Sequence, residues 1–128
     1  MIKRIVVAGC RDYENYQEAK AYIDFCISKI RKSHTLIFVS GGCRGADMLG
    51  ERYAKENGFE IEQYKADWET YGKSAGPKRN MQMAMASDYV ICFWDGESKG
   101  TLSMINCAKK LNKPLHIKNI SKSRYFTC

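Results

Sequence analysis

Short apolar runs rich in β-branched residues alternate with stretches of helical periodicity along the whole chain. That alternation is the signature of a parallel sheet covered by helices on both faces. Ile5-Val6-Val7-Ala8 is a buried-strand run that stops at Gly9. Ala19, Tyr22, Ile23, Cys26, Ile27 and Ile30 recur at helical spacing, predicting one apolar helix face over about residues 16–32. Leu36-Ile37-Phe38-Val39 is a second strand, stopped by Ser40-Gly41-Gly42. The next helix should turn Ala46, Leu49, Tyr53 and Ala54 inward and stop at Gly58. Phe59, Ile61 and Tyr64 half-alternate with Glu60, Glu62 and Gln63, as on a sheet edge. Residues 67–74 read as loop with a helical turn, before Gly76-Pro77 opens a third helix with Pro in first position. Tyr89-Val90-Ile91-Cys92-Phe93 is a fourth strand. Leu102, Ile105, Ala108 and Leu111 mark a fourth helix closed before Pro114, and Leu115-His116-Ile117 is a fifth strand.

Right-handed crossovers restrict how such strands are ordered. The expected fold is a three-layer, Rossmann-like α/β domain, a doubly wound parallel sheet in the strand order 3-2-1-4-5. With 128 residues and no repeat or linker, the chain reads as a single domain, 1–128. Its core spans about 3–117, and 118–128 form a basic tail with Lys118, Lys122 and Arg124. In this order the sheet switches direction between its first and fourth strands, and ligands bind outside the strand carboxyl ends there.

Composition narrows the class of partner. A chain that is 45% hydrophobic has enough apolar surface to bury a core, which excludes a disordered chain. No apolar run approaches the roughly 20 residues of a membrane span, so no membrane partner is expected. The opening apolar run breaks at Cys10-Arg11-Asp12, which suits a strand better than a signal peptide. Six cysteines include no C-x-x-C pair, and His34 and His116 are isolated, so no metal is expected. Cysteines used as small hydrophobes point to a reducing, cytoplasmic setting. The net charge of +7 is compatible with a nucleotide or nucleic-acid partner and diagnostic of neither. No cofactor is implied.

The loops after strands one, two and four should build the site. Ser40-Gly41-Gly42-Cys43-Arg44-Gly45-Ala46-Asp47 opens directly into a helix. Glycines let a backbone approach a phosphate, and a helix start offers unpaired N–H groups and a positive dipole end. No Gly-Lys-Ser/Thr follows, so it is not a Walker loop, nor is it G-x-G-x-x-G. Trp94-Asp95-Gly96-Glu97-Ser98-Lys99-Gly100-Thr101 opens a second such helix, with Thr101 either holding an anionic group or capping the helix. After strand one, Arg11 and Asp12 stand at the switch point, as ligand groups or as a local ion pair. Arg79 and Asn80 fall in the expected first turn of the third helix, where a cation opposes the dipole.

Together, Gly9-Cys10-Arg11-Asp12, the stretch 40–47, Ala75-Gly76-Pro77-Lys78-Arg79-Asn80 and Gly100-Thr101 resemble the SLOG superfamily. The similarity covers about residues 3–117 and is nearest the small single-domain branch related to YspA and YpsA. The resemblance implies a Rossmann-like domain that binds nucleotides or nucleotide-derived ligands. In the LOG phosphoribohydrolases, which cleave nucleoside-monophosphate glycosidic bonds, the motif is P-G-G-x-G-T-x-x-E plus an Arg. Arg79 and Gly100-Thr101 resemble parts of it, but Met104 stands at the Glu position and the Pro-Gly-Gly is absent. Met carries no proton to exchange, which disfavours that hydrolysis. The DNA-processing protein DprA is similar at Arg11, Ser40-Gly41, Arg44-Gly45 and Arg79-Asn80, which implies single-stranded DNA as the alternative partner. The sequence offers no evident stacking platform for it.

The expected ligand is therefore a nucleotide-derived, phosphate-bearing small molecule, sensed, sequestered or processed. Its phosphates would rest on Gly41, Gly42, Arg44 and Gly45, with a second anchor at Gly100 and Thr101. Arg11 and Arg79 would neutralise charge, and Asp12, Asp47 or Asp95 would bond ribose hydroxyls. Gly9, Asn80 and Gly96 complete the candidate set; Arg44 and Arg79 are expected to be exposed without ligand. No catalytic residue is assigned, and a homodimer is the expected assembly only by analogy.

Overall fold

The computed structural model describes residues 1–121. The five apolar runs become strands β1 (Ile2–Gly9), β2 (Thr35–Ser40), β3 (Glu60–Gln63), β4 (Tyr89–Trp94) and β5 (Leu115–Asn119). They pair in parallel throughout, in the order β3-β2-β1-β4-β5. The helices between them are α1 (Tyr16–Ile27), α2 (Ala46–Glu56), α3 (Trp68–Tyr71), α4 (Ala75–Ala86) and α5 (Lys99–Lys110), with a 3-10 turn at Gly72–Ser74.

Strand periodicity sorts the core into two layers. Side chains alternate across a strand, so Ile5 and Val7 face one way and Val6 and Ala8 the other. Ile5 and Val7 join Phe38, Ile91 and Phe93 under α1 and α2, with Ile23, Ile27, Tyr53 and Ala54. Val6 and Ala8 join Val39, Val90 and Cys92 under α4 and α5, with Met83, Ala84, Met104 and Ile105. Central strands buried on both faces must be apolar at every position, which is why they read as unbroken runs. Edge strand β3 is only half-buried.

Four local expectations are corrected. α1 ends at Ile27, and residues 28–33 continue as turns; the Ile30 N–H returns to the Ile27 carbonyl, three residues back. Ile30 still packs on the core, so its apolar spacing was real while the helix was not. Pro77 is the third residue of α4, because the 3-10 turn runs straight into Ala75. Its missing N–H costs nothing in a first turn, where those groups lack intrahelical partners. Leu102 is exposed, and the inward face of α5 is Thr101, Met104, Ile105 and Ala108. β5 runs to Asn119 and the Ile120 N–H donates to the Trp94 carbonyl, so Lys118 belongs to the sheet. Lys122 and Arg124 lie outside the described residues. Among the described residues no helix is long and apolar enough to cross a membrane.

Candidate functional site

The carboxyl ends of β1, β2 and β4 deliver three loops to the place where the sheet changes direction. A cavity of about 370 Å³ opens there. β1 and its loop supply Gly9, Arg11 and Asp12; the β2 loop and α2 supply Arg44 and Asp47. Arg79 and Asn80 come from α4, and Asp95, Gly100 and Thr101 from the β4 loop and α5. Cys10, Cys43, Met83, Ser98 and Met104 also line it. Four residues chosen from the sequence, Gly41, Gly42, Gly45 and Gly96, lie outside the lining.

Two of these glycines act one step back from the cavity. Gly45 has φ +82° and its α-carbon faces the Cys10 carbonyl oxygen, with which any side chain would collide. Its conformation lets α2 start against the β1 loop, and the Ala46 N–H donates to the Cys10 carbonyl at 3.1 Å. A Cβ on Gly41 would stand 2.8 Å from Asp47 Oδ2 and 2.9 Å from Arg79 Nη1. Glycine there admits both side chains against the end of β2.

The expected cradle of backbone amides is partly spent within the protein. The Gly42 N–H donates to Ser40 Oγ at 3.0 Å and the Cys43 N–H to Asp47 Oδ2 at 3.3 Å. With Ala46 also engaged, three amides of this loop are taken up inside the protein. α5 differs. Ser98, not Thr101, is its N-cap: Ser98 Oγ accepts from the Thr101 N–H at 3.3 Å and from Thr101 Oγ1 at 3.0 Å. Among the described residues the N–H groups of Lys99 and Gly100 have no protein acceptor, as the first turn of a helix dictates. Asp95 Oδ1 accepts from the Glu97 and Ser98 N–H groups at 2.8 and 2.9 Å, so one of its oxygens shapes the loop.

Arg79 corrects the sequence reading twice. It is the fifth residue of α4, past the first turn, and it is buried rather than exposed. Its Nε donates to Asn80 Oδ1 and its Nη1 to the Gly41 carbonyl, both at 3.1 Å. Among the described residues no carboxylate lies within ion-pair distance, and Nη2 has no partner. Cys43 Sγ lies 4.0 Å from both Arg79 Nη1 and Arg11 Nη2. Arg11 and Arg44 are exposed, and Arg11 makes no ion pair with Asp12. Three arginines therefore line one cavity without a direct ion pair among the described residues.

Asp47 is 6% exposed. Burial pushes its pKa up to about 6, with the Cys43 N–H and the Arg79 charge opposing the shift. Met104, 1% exposed, forms part of the cavity wall and of the α4–α5 core layer. The sequence reading missed Ser98 because Thr101 is an equally good capping residue, and the Asx turn at Asp95 that sets the helix start is not visible in a residue pattern.

A model of the YspA, cpYpsA-related SLOG family matches residues 3–71. The Gene 61 protein of Mycobacterium phage D29 is 32% identical over 121 residues, covering 89% of this chain and 94% of that protein. The structure is similar to that of DNA processing protein A from Streptococcus pneumoniae, with TM-score 0.68 and 18% identity, over 91% of this chain. This chain spans half the length of that one. DNA processing protein A from Helicobacter pylori, described for its single-stranded DNA binding mode, gives TM-score 0.68 and 20% identity, over 94% of this chain and 68% of that one.

Proposed function

Because the chain belongs to the YspA, cpYpsA-related SLOG family, we propose that it binds a phosphate-bearing, nucleotide-derived small molecule at the carboxyl ends of β1, β2 and β4. One observation carries this reading: Arg11, Arg44 and Arg79 converge on one cavity beside the start of α5, without direct ion pairs among the described residues. Guanidinium groups bond phosphate oxygens in a fork, and the Lys99 and Gly100 amides add two donors at the positive end of a helix dipole. Asp12 and the second oxygen of Asp95 suit ribose hydroxyls. The volume fits a small ligand better than a polymer. At the α5 wall Met104 offers no acid, base or nucleophile, so the reading is of binding rather than glycosidic hydrolysis.

The fold shared with two DNA processing proteins, together with the charge of +7, supports single-stranded DNA as the second reading. Thermal denaturation with a panel of nucleoside phosphates and ADP-ribose, beside an oligothymidylate, separates them. A small-molecule site gives a nucleotide-dependent rise in Tm with a shallow salt dependence. A shift from the oligonucleotide alone, collapsing steeply between low and moderate salt as many phosphate contacts are screened, would give the site to DNA.

A further inference from the structure

The connection from β3 to α4 carries aromatic rings that the core does not use. α3 is a single turn, capped by Asp67, whose Oδ1 accepts from the Thr70 N–H, and it buries no residue. Trp68 is 54% exposed and Tyr71 49%. The two rings differ in what already covers them. Lys78 Nζ stands 4.8 Å from the Tyr71 ring centroid, so a cation occupies that face. Among the described residues Trp68 has no aromatic or cationic neighbour.

The position of the indole connects it to the cavity. Its Cη2 would lie 3.4 Å from a Cβ on Gly76, so it rests against the first turn of α4. Three residues further along that helix, on the same face, comes Arg79, a wall of the cavity. A three-residue step is about 4.5 Å along the axis, so the helix residue the indole covers lies within one turn of a residue that lines the cavity. Exposed Lys65, Lys73 and Lys78 outnumber Asp67 and Glu69 along this segment, which favours an anionic occupant.

We propose that Trp68 is the base platform of the site: a mononucleotide with its phosphate in the arginine-lined cavity lays its base on the exposed indole. The assignment rests on the nucleotide-binding reading above. Every base has a π face, so the indole adds affinity without reading base edges, and alanine substitution of such a ring typically costs about ten- to a hundredfold.

Titration calorimetry with adenosine 5′-monophosphate and with ribose 5-phosphate, on the wild type, Trp68→Ala and Trp68→Phe, tests this. The wild type should bind the nucleotide at least about tenfold more tightly than the sugar phosphate. Trp68→Ala should bring the nucleotide down to the sugar phosphate's affinity and leave the latter unchanged, while Trp68→Phe keeps most of the preference. An unliganded Tm for Trp68→Ala close to the wild-type value verifies the fold. If Trp68→Ala binds the nucleotide as the wild type does, the platform is wrong and the nucleotide reading stands. Equal loss of both probes would make Trp68 a structural residue and overturn the assignment. If neither probe binds the wild type, both readings fall, including where an oligonucleotide alone binds.

Discussion

Asp47 is a carboxylate held where a carboxylate is costly, and its titration is a direct measure of that cost. Its folded pKa of about 6 lies above the ordinary value of 3.8. The stabilising contribution is that of the protonated form: fully present below about pH 4 and lost as pH rises through 6. At neutral pH the ionised group therefore costs about 3 kcal/mol. Asp47→Asn keeps an acceptor for the Cys43 N–H, so it should raise the unfolding free energy at pH 7.5 by about 1–3 kcal/mol and change little at pH 4. Urea titrations at the two pH values measure this; a variant less stable at pH 7.5 would mean that attraction to Arg79 outweighs burial. The arginines separate in the same way. Arg44 is exposed, so Arg44→Ala should leave stability within about 0.5 kcal/mol and weaken nucleotide binding by about tenfold or more. Arg79→Ala also strips the Gly41 carbonyl of its donor and should cost about 1–3 kcal/mol of stability as well. Equal melting temperatures for the two variants would contradict the buried geometry of Arg79.

At the scale of elements, α5 is the part of the site whose geometry depends most on one side chain. Ser98 caps the helix, and the Asp95 turn before it sets the start of α5, whose Gly100 and Thr101 line the cavity. The Trp94 indole N–H, donated to the Ser98 carbonyl at 3.1 Å, ties that turn to the end of β4. Ser98→Ala should cost about 1 kcal/mol of stability. It should also weaken binding of a nucleoside monophosphate more than that of the unphosphorylated nucleoside, by calorimetry. Equal weakening of both would separate the cap from phosphate recognition. The contrast with α2 is instructive. Its loop has the richer glycine pattern, yet Gly45 and Gly41 serve chain packing, and the Gly42, Cys43 and Ala46 amides are bonded internally.

Across the whole molecule, the doubly wound topology does the assembling. β1 and β4 are adjacent in the sheet while their helices lie on opposite faces, so the loops that follow them splay apart and leave a crevice. Residues as far apart in sequence as Arg11, Arg79 and Thr101 reach it because the β1 loop and the N-terminal halves of α4 and α5 meet at that one edge. A ligand bridging them ties α2, α4 and α5 together, which is why its binding should register in the unfolding of the entire domain.

The order of the strands, the two-sided burial and the place where the cavity opens were legible in the sequence because they rest on periodicity and chain connectivity. β1, β2 and β4 announce themselves as continuous apolar runs, and right-handed crossovers leave few ways to arrange them. Family membership was legible too, since short motifs such as residues 41–47 lie within the stretch the family model matches. Tertiary structure decided which donors the site retains. Whether an amide is spent or available depends on partners such as Ser40 Oγ, Asp47 and the Cys10 carbonyl, which no local pattern reveals. The same holds for the burial of Arg79 beneath Gly41 and the seating of Trp68 against Gly76. Periodicity is a property of one segment, whereas hydrogen-bond satisfaction and exposure are properties of pairs of segments, fixed only when those segments meet.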